Sequence, residues 1–233
     1  MTRAEVISKV NGKTENALVG QVDFNALFLE VSQEFCGEHR YWWRHKTFTF
    51  QTVAADDSYD LSDTTLVTTP ANAGPFVEEI TFVGRVDGTK ICRLDPIFDD
   101  QAIAEWDTDL SQDKPGLWTI TGDSLTNSQN LRLHKIPNGV FTMHVAAWMM
   151  PNASSDSSDE VIYIVPPIWH TALQVGLERE VWRLKYGEQD PKFITANALY
   201  EKKVLAAKAQ PAFATERTVQ FRRDDGRAVR STR

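Results

Sequence analysis

Residues 166–207 have the sequence PPIWHTALQVGLEREVWRLKYGEQDPKFITANALYEKKVLAA. Apolar side chains recur in it at every third or fourth position, which is the spacing of amphipathic helices. The two apolar stripes are Trp169, Leu173, Leu177, Val181 and Leu184, then Phe193, Ala196, Tyr200, Val204 and Ala207. Gly187 can end the first helix, and Asp190-Pro191 can begin the second because Asp caps a helix and Pro suits its first position. We therefore predict a helix pair here.

Two further helices are predicted toward the other end of the chain. Thr2 and Glu5 have the capping-box spacing that begins a helix, and Asn11-Gly12 follows the apolar positions of that helix. Asp23 can cap a second helix that ends before Gly37. The apolar stripe of this second helix consists of Phe24, Leu27, Phe28, Val31 and Phe35.

Between the helices the apolar period changes to two, which is typical of strands. The alternating stretches are residues 47–51, 76–82, 117–120, 131–133 and 140–148. Val86-Asp87-Gly88-Thr89 and Pro137-Asn138-Gly139 are turn sequences. Asp95-Pro96 predicts the start of one brief helix running toward Trp106. Residues 46–165 therefore indicate an antiparallel β region with one helical excursion.

The fold predicted from this order is α+β, a helical bundle with an inserted antiparallel β module and an extended C-terminal tail. Residues 1–45 and 166–210 are assigned to the helical bundle domain, 46–165 to the inserted β domain, and 211–233 to a flexible basic docking tail. Residues 151–159 are small and polar, which predicts a flexible exposed loop.

Charge is spread unevenly along the 233 residues. Six arginines against three acidic residues give residues 211–233 a formal charge of +3, whereas the preceding 210 residues carry −10. An acidic body argues against wrapping nucleic acid or binding an anionic membrane. No run of about 18 apolar residues and no signal-peptide pattern occurs, so we expect a protein made in a cytosol with both cysteines reduced.

Residues with possible chemistry do not assemble into a recognisable motif. Cys36, His39 and His45 loosely imitate a metal-ligand set, but a fourth ligand at matched spacing is missing. The acidic pairs Asp56-Asp57, Glu78-Glu79 and Asp99-Asp100 occur in turns or on strands, where solvated charge explains them better than acid–base catalysis. Nucleophile-elbow and phosphate-loop motifs are also missing. We therefore predict no catalytic residue, no metal site, no cofactor and no enzymatic activity.

Aromatic residues leave two interpretations open. Tyr41-Trp42-Trp43 follows the second helix, and we expect it at the junction with the β module. The other tryptophans are Trp106, Trp118, Trp148, Trp169 and Trp182. Base or glycan stacking would suit a β-rich module that binds a glycan or another partner. Core and subunit packing is favoured, because the aromatics lie at core periodicity in an acidic chain.

The arginine-rich tail has three interpretations: a solvated end, a non-specific nucleic-acid arm, or a peptide that orders against an acidic groove of a partner. Docking is favoured because apolar residues interleave with the arginines, as they do in interfaces. The predicted docking residues are Phe213, Arg217, Val219, Phe221, Arg222, Arg223, Arg227, Arg230 and Arg233.

Three stretches carry a resemblance to a known family. They are residues 35–44 (FCGEHRYWWR), 116–125 with 131–139 (GLWTITGDSL and LRLHKIPNG), and 165–173 (VPPIWHTAL) before the helix pair. In this order they resemble the tailed-phage head-to-tail adaptors, also called head-completion or connector proteins, including the podophage tail-tubular-like proteins. Residues 127–130 and the end beyond Gln210 depart from the family pattern.

The resemblance implies a neck protein of the virion, assembled in the host cytoplasm. Its copies would form a ring, of twelve to match a twelvefold portal, with the β module facing the tail. The implied partners are the portal protein, which the C-terminal tail clasps, and a tail or nozzle protein. Genomic DNA would pass through the ring without specific binding, and no membrane is involved.

Overall fold

The computed structural model describes residues 1–61, 76–106, 109–123, 128–151, 165–209, 221–222 and 228–229. Helices and antiparallel sheets both contribute, so the predicted α+β class is confirmed. The described residues fall into two compact units. The helical unit comprises residues 1–44, 149–151 and 165–209, and the β unit comprises the described residues of 45–148 with the two short pairs of the tail.

The described elements include five α-helices and twelve β-strands. The helices are α1 (Arg3–Lys13), α2 (Phe24–Gly37), α3 (Asp100–Trp106), α4 (His170–Tyr186) and α5 (Pro191–Lys208). The strands are β1 (His45–Gln51), β2 (Ser58–Asp60), β3 (Phe76–Asp87), β4 (Lys90–Arg93), β5 (Asp95–Pro96), β6 (Gln112–Asp113), β7 (Leu117–Asp123), β8 (Ser128–His134), β9 (Ile136–Pro137), β10 (Thr142–Met150), β11 (Phe221–Arg222) and β12 (Ala228–Val229). Every described helix is too short or too polar to cross a membrane.

Side-chain caps begin α1, α2 and α5, as the sequence predicts. The Thr2 hydroxyl accepts from the Glu5 N–H at 3.1 Å, and the Glu5 carboxylate accepts from the Thr2 N–H at 2.9 Å. Asp23 caps α2 and Asp190 caps α5 through their carboxylates. Gly187 ends α4 with a φ of 83°, a conformation that a residue with a Cβ rarely adopts. Local sequence therefore sets the limits of these helices.

The core of the helical unit surrounds α4, which packs against α1, α2 and α5. The predicted stripe of α4 is buried from Trp169 to Val181. Leu184 was assigned to the same stripe, and that assignment is wrong because its side chain is 47% exposed. The core cluster ends on α4 at Val181, so the last turn of the helix extends beyond it.

The β unit contains two four-stranded sheets, with strand orders β1-β10-β3-β4 and β2-β8-β7-β5. Long pairings such as β1 with β10 and β7 with β8 are antiparallel. The predicted turn after Asp87 is confirmed, because Asp87 pairs with Lys90 across two residues. The two-residue pairs β5–β7 and β6–β9 are parallel, and the sequence did not predict them.

One predicted helix start is wrong. Asp95-Pro96 forms strand β5 rather than a helix cap, and α3 begins five residues later at Asp100. The Asp95 N–H donates to the Gly116 carbonyl at 3.2 Å, and the Ile97 N–H donates to Trp118 at 2.9 Å. Pairing with β7 thus overrides a local capping signal. Of the polar stretch 151–159, only Pro151 is among the described residues.

Candidate assembly interface

The loosely metal-like residues have packing or hydrogen-bonding roles. Cys36 is buried in the helical core, and His39 packs edge-on against Tyr41 with ring centroids 5.3 Å apart. The His45 ring nitrogen Nε2 lies 2.9 Å from the Thr81 hydroxyl. Among the described residues, no group of three or more His, Cys, Asp or Glu side chains could hold a metal ion.

Native Cys36 is expected to resist thiol reagents. Burial raises the pKa of its thiol to about 12, and the Arg44 charge only partly opposes this, so little thiolate forms at neutral pH. Mass spectrometry after a maleimide pulse should find Cys36 unlabelled in the native chain and labelled in urea. Labelling of Cys36 in native protein, at the rate of an exposed thiol, would contradict its burial.

An aromatic stack lies in the core of the helical unit. The rings of Tyr41 and Trp43 lie parallel with centroids 4.3 Å apart, and Phe35 and Trp169 extend the stack. Five of the seven tryptophans are buried, and Trp42 is exposed by 44%. The prediction of core packing is confirmed for these five. Isolated exposure at Trp42 does not make a platform for stacked bases or sugars.

Arg44 closes the C-terminal end of α2, although its side chain is only 1% exposed. Its guanidinium donates to the Cys36 carbonyl at 2.5 Å, the His39 carbonyl at 3.2 Å and the Met149 carbonyl at 3.0 Å. Carbonyls at a helix C-terminus lack hydrogen-bond donors within the helix, and the guanidinium of Arg44 supplies such donors here. This role could not be predicted from local sequence, because Met149 is 105 residues away along the chain.

A second buried arginine ties three helices together. Arg179 of α4 donates to both carboxylate oxygens of Glu34 on α2 and to Glu180, and its guanidinium lies 4.3 Å from the Tyr200 ring centroid on α5. Burial lowers the pKa of Arg179, but the Glu34 and Glu180 carboxylates outweigh it and the net shift is upward. These contacts fix the positions of α2, α4 and α5.

Gly176 brings the same three helices into close contact. A Cβ built at this position would lie 2.6 Å from Val31 Cγ1 and 2.9 Å from the Tyr200 ring, so only glycine fits without a shift. Close packing and the contacts of Arg179 therefore hold α2, α4 and α5 together as one packed block.

The surface of this block carries large apolar side chains on its C-terminal helices. They are Leu184, Tyr186, Ile194, Leu199 and Leu205, exposed by between 43% and 65%. Three of them, Ile194, Leu199 and Leu205, belong to α5. The buried stripe of α5 was predicted, but this second side of the helix was not.

Acidic charge is concentrated in the β unit. Residues 45–148 contain 15 acidic and 7 basic side chains, a formal charge of −8 that exceeds the −7 of the whole chain. Some of it is paired, as in the contact of Arg132 with Asp57 at 2.8 Å. A net charge of this sign would repel DNA phosphates.

Acid is expected to destabilise the chain through His134. Its ring stacks on Trp106 with centroids 4.7 Å apart, and burial lowers its pKa more than the Asp109 carboxylate raises it. Folding lowers the pKa of the His134 ring below its unfolded value of about 6.5. At pH values between these two pKa values the unfolded chain binds more protons than the folded chain, so the free energy of unfolding falls as the pH falls. The variant His134→Phe keeps the stack on Trp106. Between pH 7.5 and 5.5, urea unfolding should show a smaller loss in the free energy of unfolding for this variant than for the parent chain. Equal losses would contradict this role.

The predicted docking residues lie in the tail. Phe221 and Arg222 form β11, which pairs antiparallel with β12 and lies alongside β4. Regular structure was not predicted after Gln210, although Asp225-Gly226 is a sequence typical of hairpin turns. The other seven lie outside the described residues: Phe213, Arg217, Val219, Arg223, Arg227, Arg230 and Arg233.

The comparison with known families is decisive for the class of protein. A family model described as SU10 adaptor protein matches residues 1–230. The chain belongs to this family. No curated protein matches it. As an SU10 adaptor, the chain is a phage adaptor protein with a structural role in the virion, which confirms the resemblance at the level of phage adaptors.

The matched range includes both stretches in which the sequence was predicted to depart from the family pattern. They are residues 127–130 and the end beyond Gln210, which is included as far as residue 230.

Proposed function

We propose that this SU10 adaptor is the head-to-tail adaptor of a phage neck. In this proposal, its copies form a ring that docks to the portal, offers a platform to the tail or nozzle protein, and surrounds a channel for genomic DNA. The observation that carries the proposal is the family match through the arginine-rich tail to residue 230. The protein is assembled in the host cytoplasm and needs no catalytic residue for this role.

The tail is the portal-docking element in this proposal. Three apolar residues, Phe213, Val219 and Phe221, interleave with six arginines in a segment of net charge +3. Apolar anchors gain by burial in a groove, and arginines form charge-assisted hydrogen bonds to carboxylates or backbone carbonyls there. The docking residues are Phe213, Arg217, Val219, Phe221, Arg222, Arg223, Arg227, Arg230 and Arg233.

The remaining chain is the building block. Residues 1–45 and 166–210 are proposed as the helical bundle domain and residues 46–165 as the inserted β domain, which faces the tail. The contacts around Arg179 and Gly176 support a stiff repeating unit. A ring of twelve copies would repeat a weak tail contact many times, which raises the overall affinity without strengthening any one contact.

The −8 charge of residues 45–148 supports passage of DNA without binding. An acidic channel wall repels DNA and shortens the time that DNA stays bound to it, whereas a cationic wall would bind DNA.

Co-sedimentation of the full chain with its portal tests the proposal. We expect the chain to pellet with portal rings and to add a ring of density to the portal in negative-stain class averages. A chain that stays in the supernatant, and leaves the portal classes unchanged at saturating concentration, would contradict the proposal.

A further inference from the structure

Strand β4 is the outer strand of its sheet, whose order is β1-β10-β3-β4. Next to β4, the Leu94 N–H donates to the Val83 carbonyl at 2.9 Å. Hydrogen-bonded pairs alternate with non-hydrogen-bonded pairs in an antiparallel ladder, so the backbone groups of Ile91 and Arg93 face away from β3. A strand with outward N–H and C=O groups can accept another strand along its edge.

Part of the tail lies at this edge. Strand β11, which is Phe221–Arg222, pairs with β12, and Cα atoms of β11 lie within 8 Å of Cα atoms of β4. All three strands belong to the same compact unit. Phe221 and Arg222 are also two of the proposed portal-docking residues. The same residues cannot lie against β4 and in a portal groove at one time, so the two positions exclude each other.

Charge weakens the position of the tail at β4. Lys90 and Arg93 are exposed on this strand and have the same sign as the arginines of the tail. Like charges on neighbouring strands destabilise their contact. Asp87, which lies across from Lys90, already contacts Arg85 at 4.0 Å and Lys114 at 3.4 Å. The arginines therefore gain more from the carboxylates of a partner than from this edge.

We propose that the chain holds its tail against the edge of β4 before assembly and releases it when the tail docks to the portal. This inference rests on the tail docking of the proposed function. The contact at β4 competes with the portal, so the apparent affinity falls in proportion to the fraction of chains whose tail is released. The tail then binds only a partner that offers it more than β4 does.

A disulfide between β4 and β11 tests the contact in the full chain. Cys92 lies on β4 and is partly exposed, whereas Cys36 is buried in the helical core. Phe221→Cys and Arg222→Cys each add a thiol to β11. Successive side chains of a strand point to opposite faces, so one of the two positions should suit a disulfide with Cys92.

We expect mild oxidation of the chain alone to join Cys92 to the new thiol in at least one of these two variants, as identified by mass spectrometry of tryptic peptides. Ser231→Cys places a thiol in the tail beyond β12 and measures chance encounters of a tethered thiol. It should be oxidised to Cys92 at least about tenfold more slowly. The same variants with Cys92→Ser control for other effects of oxidation.

Portal binding is then compared between the oxidised and the reduced form of one variant, so the substitution itself cancels. A single substitution leaves the other docking residues in place, and the reduced form should still bind. We expect the oxidised form to bind the portal at least about tenfold more weakly, because its tail is fixed at β4. The Cys92→Ser versions should bind equally under both conditions.

The outcomes separate this inference from the proposed function. If neither variant on β11 forms the disulfide faster than Ser231→Cys, the contact at β4 is overturned. An oxidised chain that binds the portal as tightly as its reduced form would overturn the competition while leaving the adaptor function in place. A parent chain that does not bind the portal at all would overturn the proposed function, and this inference with it.

Discussion

A variant that ends at Gln210 is expected to lose at least about a hundredfold in affinity for the portal while its body stays folded. The loss follows because the removed residues carry all three apolar anchors and all six arginines of the proposed docking element. The helical unit should survive because its buried core ends at Ala207, and of its described strands the β unit loses only the two-residue pair β11 and β12. Titration of labelled chain onto portal, with melting curves of both chains, measures the two expectations.

Two full-length variants separate docking from simple charge attraction. Phe213→Ser with Phe221→Ser keeps every charge, and Arg222→Gln with Arg223→Gln keeps every apolar anchor. A docked peptide needs both sets, so both variants should bind the portal more weakly. If only the arginine variant binds the portal more weakly, and the difference from the parent chain vanishes at high salt, the tail is an electrostatic arm and the docking account is wrong. Unchanged binding in both variants, and in the truncated chain, would mean a solvated end.

Arg44→Met is expected to lower the free energy of unfolding by about 3 kcal/mol or more. The methionine fills part of the space but leaves the carbonyls of Cys36, His39 and Met149 without their shared donor. For a chain of this size the loss corresponds to a melting temperature lower by about 6–12 °C. Urea unfolding followed by tryptophan fluorescence measures it.

Two controls isolate the cause. Arg40→Met makes the same substitution four residues earlier at an exposed position, and it should cost less than about 1 kcal/mol. Arg44→Lys keeps the charge but lacks the planar fork that reaches several carbonyls, so it should remain clearly destabilising. If Arg44→Lys matches the parent chain, charge rather than hydrogen-bond geometry explains the role of Arg44.

Local signals in the sequence were sufficient to predict most of the helices and strands. Thr2, Asp23 and Asp190 cap helices through contacts within three residues, and the turn between Asp87 and Lys90 needs only two residues. Such features depend on neighbours in sequence, so a single chain reveals them. Asp95-Pro96 shows the limit, since β7 provided backbone partners that a local signal cannot anticipate.

The contacts that stiffen the helical unit were not predictable in the same way. Arg179 meets Glu34 across 145 residues, and Arg44 meets Met149 across 105. Each needs the tertiary fold before its partners come together, and neither arginine belongs to a motif. The exposed apolar side chains of α5 are different, because Ile194 and Leu205 lie on one side of a helix whose other side the sequence predicts to be buried. Their helical spacing is visible in the sequence itself.

A cryo-electron microscopy map of the assembled phage neck tests the central claim most directly. The account predicts a ring of this chain directly beneath the portal, with density for residues 211–233 lying against portal subunits. A map that places the chain elsewhere in the virion, or that shows the ring held to the portal with those residues directed into solvent, would contradict it.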